Sequence, residues 1–313
     1  MLNNLIAALI GPAQARAAQR QALARTRGLM TGLEALADAV PPDGADGEAP
    51  IFLLSAGWRS GSTLLQRLIM SDRKVLIWGE PYDECGLIQH LAASNRAFRP
   101  GWPRADYFYD GTPIGQLSGN WVANLFPALG DWRAAHRALF QTLFARPAQA
   151  AGAGRWGIKE VRLTAEHCHY LRWLYPNAKF LFLYRHPLDA YRSYCSFGRN
   201  WYDTYPDHPV FTPRAFGRHW RGLMDGFLAE ADGLGALLVR YEDLIADVAT
   251  VRRVEAYLGI TIDHGLLRLK VRNSGNVRDN PAGKRPEVKV SALETWLLRR
   301  AVGPTAAKLD YRF

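Results

Sequence analysis

Residues 51–69 read IFLLSAGWRSGSTLLQRLI, and the fold prediction rests on this stretch. An apolar run comes first, a turn with several small residues follows, and apolar residues with helical spacing come last. This order predicts a buried strand, a tight turn and the start of a helix. The amides of such a turn bind anions, because the helix dipole adds partial positive charge at the same point. The stretch therefore predicts an anion-binding loop.

The loop differs from the phosphate-binding loop of nucleotide hydrolases, which has the pattern G-x-x-x-x-G-K-[ST]. Aligned on Gly61, that pattern places its first glycine on Ala56 and its lysine on Ser62. Arg59 supplies a permanent cation instead. The hydroxyl donors of the loop are Ser60, Ser62 and Thr63. A magnesium-dependent phosphoryl transferase also needs a carboxylate at a strand end, and the sequence offers no persuasive one. The loop suits an anion whose reaction does not rely on magnesium.

Short apolar runs alternate with helical patterns along the chain. The predicted strands are residues 51–55, 75–78, 156–159, 179–184 and 236–240. The predicted helices are residues 63–70, 134–145, 165–175, 188–197 and 213–231. This alternation predicts an α/β fold with a central parallel sheet flanked by helices on both faces. Ligands of such sheets bind beyond the C-terminal ends of the strands, where the loop lies.

A second candidate anion site follows the strand predicted at 179–184. The sequence FLYRHPLDAYRS at 182–193 places Arg185 at the strand end, Pro187 near a helix start, and Ser193 eight residues after the arginine. A guanidinium can bind phosphate through two parallel hydrogen bonds, and a serine one or two turns into the helix can contact its other side. Alone this pattern is a weak signal, but together with the loop at 59–63 it is strong.

Three motifs resemble those of sulfotransferases that use 3′-phosphoadenosine 5′-phosphosulfate (PAPS), in particular the carbohydrate-type or bacterial branch. They are RSGSTLL at 59–65, FLYRHPLDAYRSY at 182–194 and LVRYEDL at 238–244, in the family's order. The resemblance implies a P-loop-like α/β fold related to nucleotide kinases. It implies that Arg185 and Ser193 hold the 3′-phosphate. It also implies that the 5′-phosphosulfate is held by Arg59, Ser60, Gly61, Ser62, Thr63 and Leu64.

Sulfuryl transfer needs a base for the acceptor proton and a cation at the leaving phosphate, which becomes adenosine 3′,5′-bisphosphate. Arg59 suits the leaving phosphate. We predict Glu80 as the base, because it follows the strand at 75–78 and the family often has a glutamate-proline pair there. Lys159 ends another strand and is predicted to contact a sulfonate oxygen or the acceptor, with help from Arg162.

Glu80 and Lys159 also have interpretations that involve no catalytic role. Glu80 could be a surface carboxylate, and Lys159 could belong to an ordinary salt bridge. Other candidates for the base are Asp83, Glu84 and, more weakly, His90. The residues Glu166, His167, Cys168 and His169 look like metal ligands, but neighbours on a helix point in different directions, so no metal site is expected.

Composition divides the chain into a helical N-terminal segment at 1–38, a linker at 39–50 and a sulfotransferase domain at 51–313. The linker, AVPPDGADGEAP, is rich in proline, glycine and aspartate. The N-terminal segment reads as an amphipathic helix that packs on the domain or contacts a membrane surface peripherally. A second stretch at 146–155, RPAQAAGAGR, is predicted to be flexible.

Two segments of the main domain are candidates for ligand contact. Residues 98–135 form an aromatic-rich excursion that provides either local core or part of an acceptor pocket. Residues 268–289 are basic and contain glycine and proline. They predict either a solvated loop or a segment that closes over the cofactor's phosphates, as C-terminal segments do in the family.

The chain has 313 residues, 48% of them hydrophobic, and a net charge of +10. The charge indicates either an arginine-rich solvated surface or an anionic partner. Three widely spaced cysteines indicate a reducing compartment. No apolar run is long enough to span a bilayer, and no basic residue precedes the short apolar run at the N-terminus. The Golgi members of the carbohydrate-type branch that the motifs resemble have a membrane anchor, and this difference favours a cytoplasmic, bacterial protein.

The sequence thus predicts transfer of a sulfuryl group from PAPS to a hydroxyl or amine of a carbohydrate, glycolipid or small metabolite. One alternative is a P-loop-like nucleotide kinase, which the missing lysine disfavours. Another is a basic nucleic-acid-binding protein, which is disfavoured because the aromatic residues mostly lie in apolar runs. The sequence does not identify the acceptor or the oligomeric state.

Overall fold

The computed structural model describes residues 28–39, 47–82, 85–119, 121–196, 210–268 and 288–313. The described residues form two compact units. One contains residues from 1–43 and 90–135, and the other contains residues from 44–89 and 136–313. Most of the predicted N-terminal segment, and residues 40–46 of the predicted linker, lie outside the described residues.

The second unit contains a five-stranded parallel sheet with the order β2-β3-β1-β4-β5. The strands are β1 Ile51–Ser55, β2 Val75–Gly79, β3 Arg155–Glu160, β4 Lys179–Tyr184 and β5 Leu237–Arg240. Each lies where the sequence predicts one. The predicted α/β fold with a central parallel sheet is therefore confirmed.

Helices precede, follow and connect these strands. Their bounds are α1 Leu29–Ala39, α2 Ser62–Ile69, α3 Leu87–Ser94, α4 Trp132–Phe140, α5 Arg146–Ala150, α6 Ala165–Leu174, α7 Pro187–Cys195, α8 Pro213–Glu230, α9 Tyr241–Ala246, α10 Val248–Leu258 and α11 Ala292–Lys308. Short 3₁₀ turns lie at Asn95–Ala97, Ala105–Tyr107, Ile114–Gly119, Leu129–Asp131 and His264–Arg268.

One face of the sheet packs against α2 and α10. Leu53, Leu181 and Leu183 alternate onto this face and share a buried cluster with Leu65 of α2 and Val254 of α10. Each fully buried side chain of this size stabilises the fold by about 2 kcal/mol. This packing fixes α2, and with it the loop between β1 and α2, over the centre of the sheet.

The other face of the sheet is aromatic. Phe52 stacks on Phe180 with ring centroids 5.5 Å apart, and Phe182 stacks on Phe227 of α8 at 4.3 Å. Helix α8 therefore packs against β4. This contact brings the N-terminal half of α8 near the strand end that carries Arg185.

Half of the stretch 146–155 is helical, whereas the sequence predicted a flexible segment. Helix α4 continues through one π-helical turn, Gln141–Ala145, into α5, and β3 begins at Arg155. Pro147 has no N–H to donate and its ring clashes with the preceding turn of a regular α-helix. The wider π turn before it relieves this conflict. Alanines, the best helix formers, then carry the helix to Ala150.

The first unit contains α1 and the aromatic-rich excursion. Helix α1 packs closely on the turn at Asn95–Ala97, since a Cβ on Gly32 would lie 2.0 Å from the Asn95 carbonyl oxygen. Several aromatic side chains of the excursion contact one another edge to face, among them Tyr107 and Phe126. Trp121 in contrast is 79% exposed. The excursion thus combines a local aromatic core with exposed apolar side chains.

Glu160 ends β3 as a buried carboxylate that is only 5% exposed. Its Oε2 atom accepts hydrogen bonds from the amides of Val161 and Arg162, both at 3.1 Å. Burial raises the pKa of Glu160 to about 7, and the nearby carboxylate of Glu80 adds to the rise. The folded state therefore disfavours the ionised form.

Replacement of Glu160 by glutamine is expected to change how stability depends on pH. The carboxyl ionises near 4.5 in the unfolded chain and near 7 in the folded chain, so the native protein loses stability as pH rises between these values. Glutamine keeps a carbonyl acceptor for both amides but does not ionise. Relative to the native protein, Glu160→Gln should gain about 2 kcal/mol more at pH 8 than at pH 5 in urea unfolding. If the variant and the native protein differ in free energy of unfolding by the same amount at pH 5 and pH 8, the prediction is wrong.

Candidate active site

The two predicted anion sites lie side by side at the C-terminal edge of the sheet. Strand β1 pairs directly with β4, so the loop after β1 lies next to the residues after β4. Arg59 Nε donates to Ser193 Oγ at 3.0 Å, and Arg185 Nη1 donates to the carbonyl oxygen of Arg59 at 3.2 Å. The structure thus brings Arg59, Arg185 and Ser193 into one cluster.

The loop between β1 and α2 turns sharply through left-handed residues. Gly57 has φ 77°, Arg59 has φ 64° and Gly61, the N-cap of α2, has φ 92°. A left-handed conformation costs a residue other than glycine about 1–2 kcal/mol, so Arg59 is strained. Neighbouring groups must hold it in place.

The loop's hydroxyl groups have different surroundings. Ser60 Oγ donates inside the loop to the carbonyl oxygens of Ala56 and Gly57, at 3.2 and 3.0 Å. The side chain of Ser60 therefore shapes the loop, and its amide is what remains for a ligand. Ser62 is buried and Thr63 is exposed. Their amides are the first two of α2, which a helix leaves without an internal acceptor.

Tyr241, the first residue of α9, joins the loop to Arg185. A Cβ on Gly61 would lie 2.2 Å from Tyr241 Cδ2, so only glycine fits against this ring. The guanidinium carbon of Arg185 lies 4.5 Å from the centroid of the same ring. Tyr241, which belongs to the third sequence motif, therefore contacts residues of both other motifs.

The backbone around Arg185 is held on both sides. Trp220 Nε1 on α8 donates to the Arg185 carbonyl oxygen at 3.2 Å, and the amide of His186 donates to Glu242 Oε1 at 2.8 Å. Tyr311 donates to the other oxygen of Glu242 at 2.9 Å. The Nε atom of Arg185 is buried and has no hydrogen-bond partner within the described residues. A donor so placed suits an anionic ligand.

Glu80 and Lys159 form an ion pair at the ends of β2 and β3. The amide of Glu80 also donates to the Lys159 carbonyl oxygen at 2.8 Å. The Lys159 side chain is 7% exposed and that of Glu80 is 29% exposed, so the carboxylate is the accessible partner. Lys159 pairs in register with Leu53 and therefore points to the face of the sheet covered by α2.

The structure describes only some of the other candidate residues. Asp83, Glu84 and most of the basic segment 268–289 lie outside the described residues, and His90 belongs to the unit containing residues 90–135. The amide of Arg162 donates to Glu160.

The side chains at 167–169 do not converge on one point. His167 caps its own helix with Thr164, Cys168 is buried, and His169 contacts Glu230. Consecutive side chains of this helix therefore have different surroundings.

Two neighbours of the site have no counterpart in the sequence-based prediction. Glu160 directly follows Lys159, and a charged residue that ends an apolar strand is a signal that could have identified it. The ring of His219 on α8 stacks on Trp58 of the loop, with centroids 4.9 Å apart. No local pattern marks His219, because its contact depends on how α8 packs on the sheet.

No helix within the described residues has the length and hydropathy needed to cross a bilayer. These residues are 28–39, 47–82, 85–119, 121–196, 210–268 and 288–313.

The chain was compared with known protein sequences and with solved structures. No curated protein sequence matches the chain. Among solved structures, the sulfotransferase domain from the curacin biosynthetic pathway has 15% identity and a TM-score of 0.47, and covers 85% of this chain and 99% of its own. The sulfotransferase domain from the Synechococcus PCC 7002 olefin synthase has 21% identity and a TM-score of 0.47, with 87% and 98% covered. A sulfotransferase from Alicyclobacillus acidocaldarius has 17% identity and a TM-score of 0.45, with 83% and 94% covered.

A family model described as "Sulfotransferase family" matches residues 50–264, which is more than half of the chain. The matched region includes the loop after β1, the Glu80–Lys159 pair, Arg185 and Tyr241. The chain therefore belongs to the sulfotransferase family.

Proposed function

We propose that the protein transfers a sulfuryl group from PAPS to a hydroxyl or amine of a carbohydrate, glycolipid or small metabolite. The observation that carries this proposal is the joined pair of cationic sites at the ends of β1 and β4. Arg59 contacts Ser193, and Arg185 contacts the backbone of Arg59. A nucleotide with anionic groups at both its 5′ and 3′ positions matches two neighbouring arginines, one in the loop after β1 and the other at the end of β4.

The residues of the cluster fit such a nucleotide. The 3′-phosphate would be bound by Arg185, whose buried Nε lacks a protein partner among the described residues, and by Ser193. Ser193 Oγ already accepts from Arg59, so its hydroxyl proton is left to donate. The 5′-phosphosulfate would be bound by Arg59, by the loop backbone at Ser60 and Gly61, and by Ser62, Thr63 and Leu64 at the start of α2. When bound, PAPS supplies an activated sulfuryl group on a phosphate that can leave.

The Glu80–Lys159 pair fits the proton transfer that the reaction requires. The acceptor hydroxyl must lose a proton as its oxygen attacks sulfur in line with the leaving phosphate. Glu80 is the exposed partner of the pair and takes this proton in our proposal. Lys159 holds the carboxylate and brings a buried positive charge to the strand ends, where electrostatic stabilisation is strong because water is scarce. Arg59 stabilises the charge that grows on the leaving phosphate.

Ligand binding provides the first test. Adenosine 3′,5′-bisphosphate should raise the melting temperature, whereas ATP with Mg²⁺ should do so much less, because only the first ligand occupies the Arg185 site. Incubation with PAPS and a panel of sugar, glycolipid and small hydroxyl or amine acceptors should then yield a sulfated product. Equal stabilisation by both nucleotides together with phosphoryl transfer from ATP would identify a kinase instead.

Replacement of Arg185 by alanine should weaken the binding of adenosine 3′,5′-bisphosphate. The loss of a charge-assisted contact to phosphate typically costs about 1.5–3 kcal/mol, which corresponds to roughly 10- to 150-fold in Kd. Isothermal titration calorimetry would measure the change. Arg192→Ala is the matched control, since Arg192 lies on the same helix and forms an exposed ion pair with Asp189. If Arg185→Ala and Arg192→Ala bind equally well, Arg185 does not bind the nucleotide.

Replacement of Glu80 by glutamine should slow turnover without loss of nucleotide binding. Glutamine keeps the size of the side chain but cannot take a proton, and loss of a general base typically costs about 10²–10⁴ in kcat. Steady-state kinetics with PAPS, beside calorimetry with adenosine 3′,5′-bisphosphate, would separate the two effects. Glu230→Gln serves as control, because Glu230 pairs with His169 away from the strand ends. Full activity of Glu80→Gln would assign the base to another residue.

A further inference from the structure

The ring of His219 supports the first half of the loop after β1. It stacks on Trp58 with an interplanar angle of 25°, and Trp58 is only 5% exposed. The same ring lies against the preceding residue, because a Cβ on Gly57 would be 3.4 Å from His219 Cδ2. Two consecutive loop residues therefore rest on one imidazole.

This support is adjacent to the strained residue of the loop. Arg59 directly follows Trp58, has φ 64° and directs its Nε to Ser193. A left-handed arginine persists only where its surroundings hold it. On one side Arg185 donates to the Arg59 carbonyl oxygen, and on the other side Trp58 is held by His219.

Helix α8 also supports the second anion site. Trp220, the residue after His219, donates to the carbonyl oxygen of Arg185. Consecutive helical residues point about 100° apart, so one turn of α8 can contact both strand ends. The position of this turn therefore sets where the loop lies relative to Arg185.

We propose that His219 is a positioning residue. Its flat ring, acting through Trp58, holds Arg59 in the left-handed conformation that presents the guanidinium to the 5′-phosphosulfate. The role of Arg59 toward that group rests on the function proposed above. The role of His219 in holding the loop does not, and it is a packing role that needs no proton transfer by the imidazole.

The test compares His219→Ala with His219→Phe in two measurements. Hydrogen exchange of a peptide covering residues 56–65 reports on the loop without any ligand. We expect exchange about tenfold faster in His219→Ala and near the native rate in His219→Phe, which keeps a flat ring. Arg218→Ala, an exposed neighbour on α8, should leave exchange unchanged. Unchanged exchange in His219→Ala would overturn the proposal.

Binding and kinetics supply the second measurement. Affinity for adenosine 3′,5′-bisphosphate and kcat with PAPS should each fall about tenfold in His219→Ala and return to within about twofold in His219→Phe. Trp58→Leu should cause the same loss, and the double variant should lose no more, because both changes remove one contact. If His219→Phe is as inactive as His219→Ala while its loop exchanges at the native rate, the imidazole has a chemical role, and the claim that His219 acts by packing alone is wrong.

The two proposals fail in different ways. If the native protein does not bind adenosine 3′,5′-bisphosphate, the proposed function fails, while faster exchange in His219→Ala alone still supports the positioning role. If the native protein binds the nucleotide and His219→Ala matches it in both affinity and exchange, the proposed function stands and the inference about His219 falls.

Discussion

The direct pairing of β1 with β4 is the constraint on which the candidate site depends. Parallel strands end at the same edge of a sheet, so two neighbours place their following residues side by side. Arg59 and Arg185 are 126 residues apart in the chain and still meet through a hydrogen bond. The pairing of β1 with β3 brings Lys159 to the same edge, and β3 in turn holds β2 and Glu80. A different strand order would separate these groups although every local motif remained.

Local patterns were sufficient to predict the strands and the residues that follow them. A short apolar run before a turn specifies a buried strand, and the last residues of the strand and the loop after it must lie at the edge of the sheet. For this reason Arg59, Glu80, Lys159 and Arg185 could be named. His219 could not be named, because it reaches the loop only through the packing of α8. Tyr241 lies in the LVRYEDL motif, but the motif alone does not show that its ring contacts Gly61 and Arg185. For the stretch at 146–155, local composition gave a wrong prediction. Its small residues suggested mobility, while a π turn before Pro147 allowed them to continue a helix.

The charges of the site follow a division of roles between its two sides. On the β1–β4 side, Arg185 donates to the Arg59 carbonyl oxygen and Arg59 donates to Ser193, so two positive charges lie close together. Under the proposed function, an anionic ligand balances this charge. On the β2–β3 side Lys159 is neutralised by Glu80, which leaves a carboxylate that is already positioned and partly exposed. Arginine remains charged at any physiological pH, so the anion side does not depend on protonation. Under the proposed function, proton transfer then belongs to the glutamate side.

The loop is held largely by residues outside the loop. Its strained arginine accepts a hydrogen bond from Arg185, which follows β4, while Gly61 contacts Tyr241 of α9 and Trp58 stacks on His219 of α8. These contacts are present without a ligand, so under the proposed function the amides and guanidinium groups need little rearrangement to bind an anion. Electrostatic groups that are fixed in advance stabilise a transition state more effectively than groups that must be ordered during the reaction. Under the proposed function, the strain at Arg59 is the energetic cost of a preformed site, and aromatic packing on α8 and α9 offsets it.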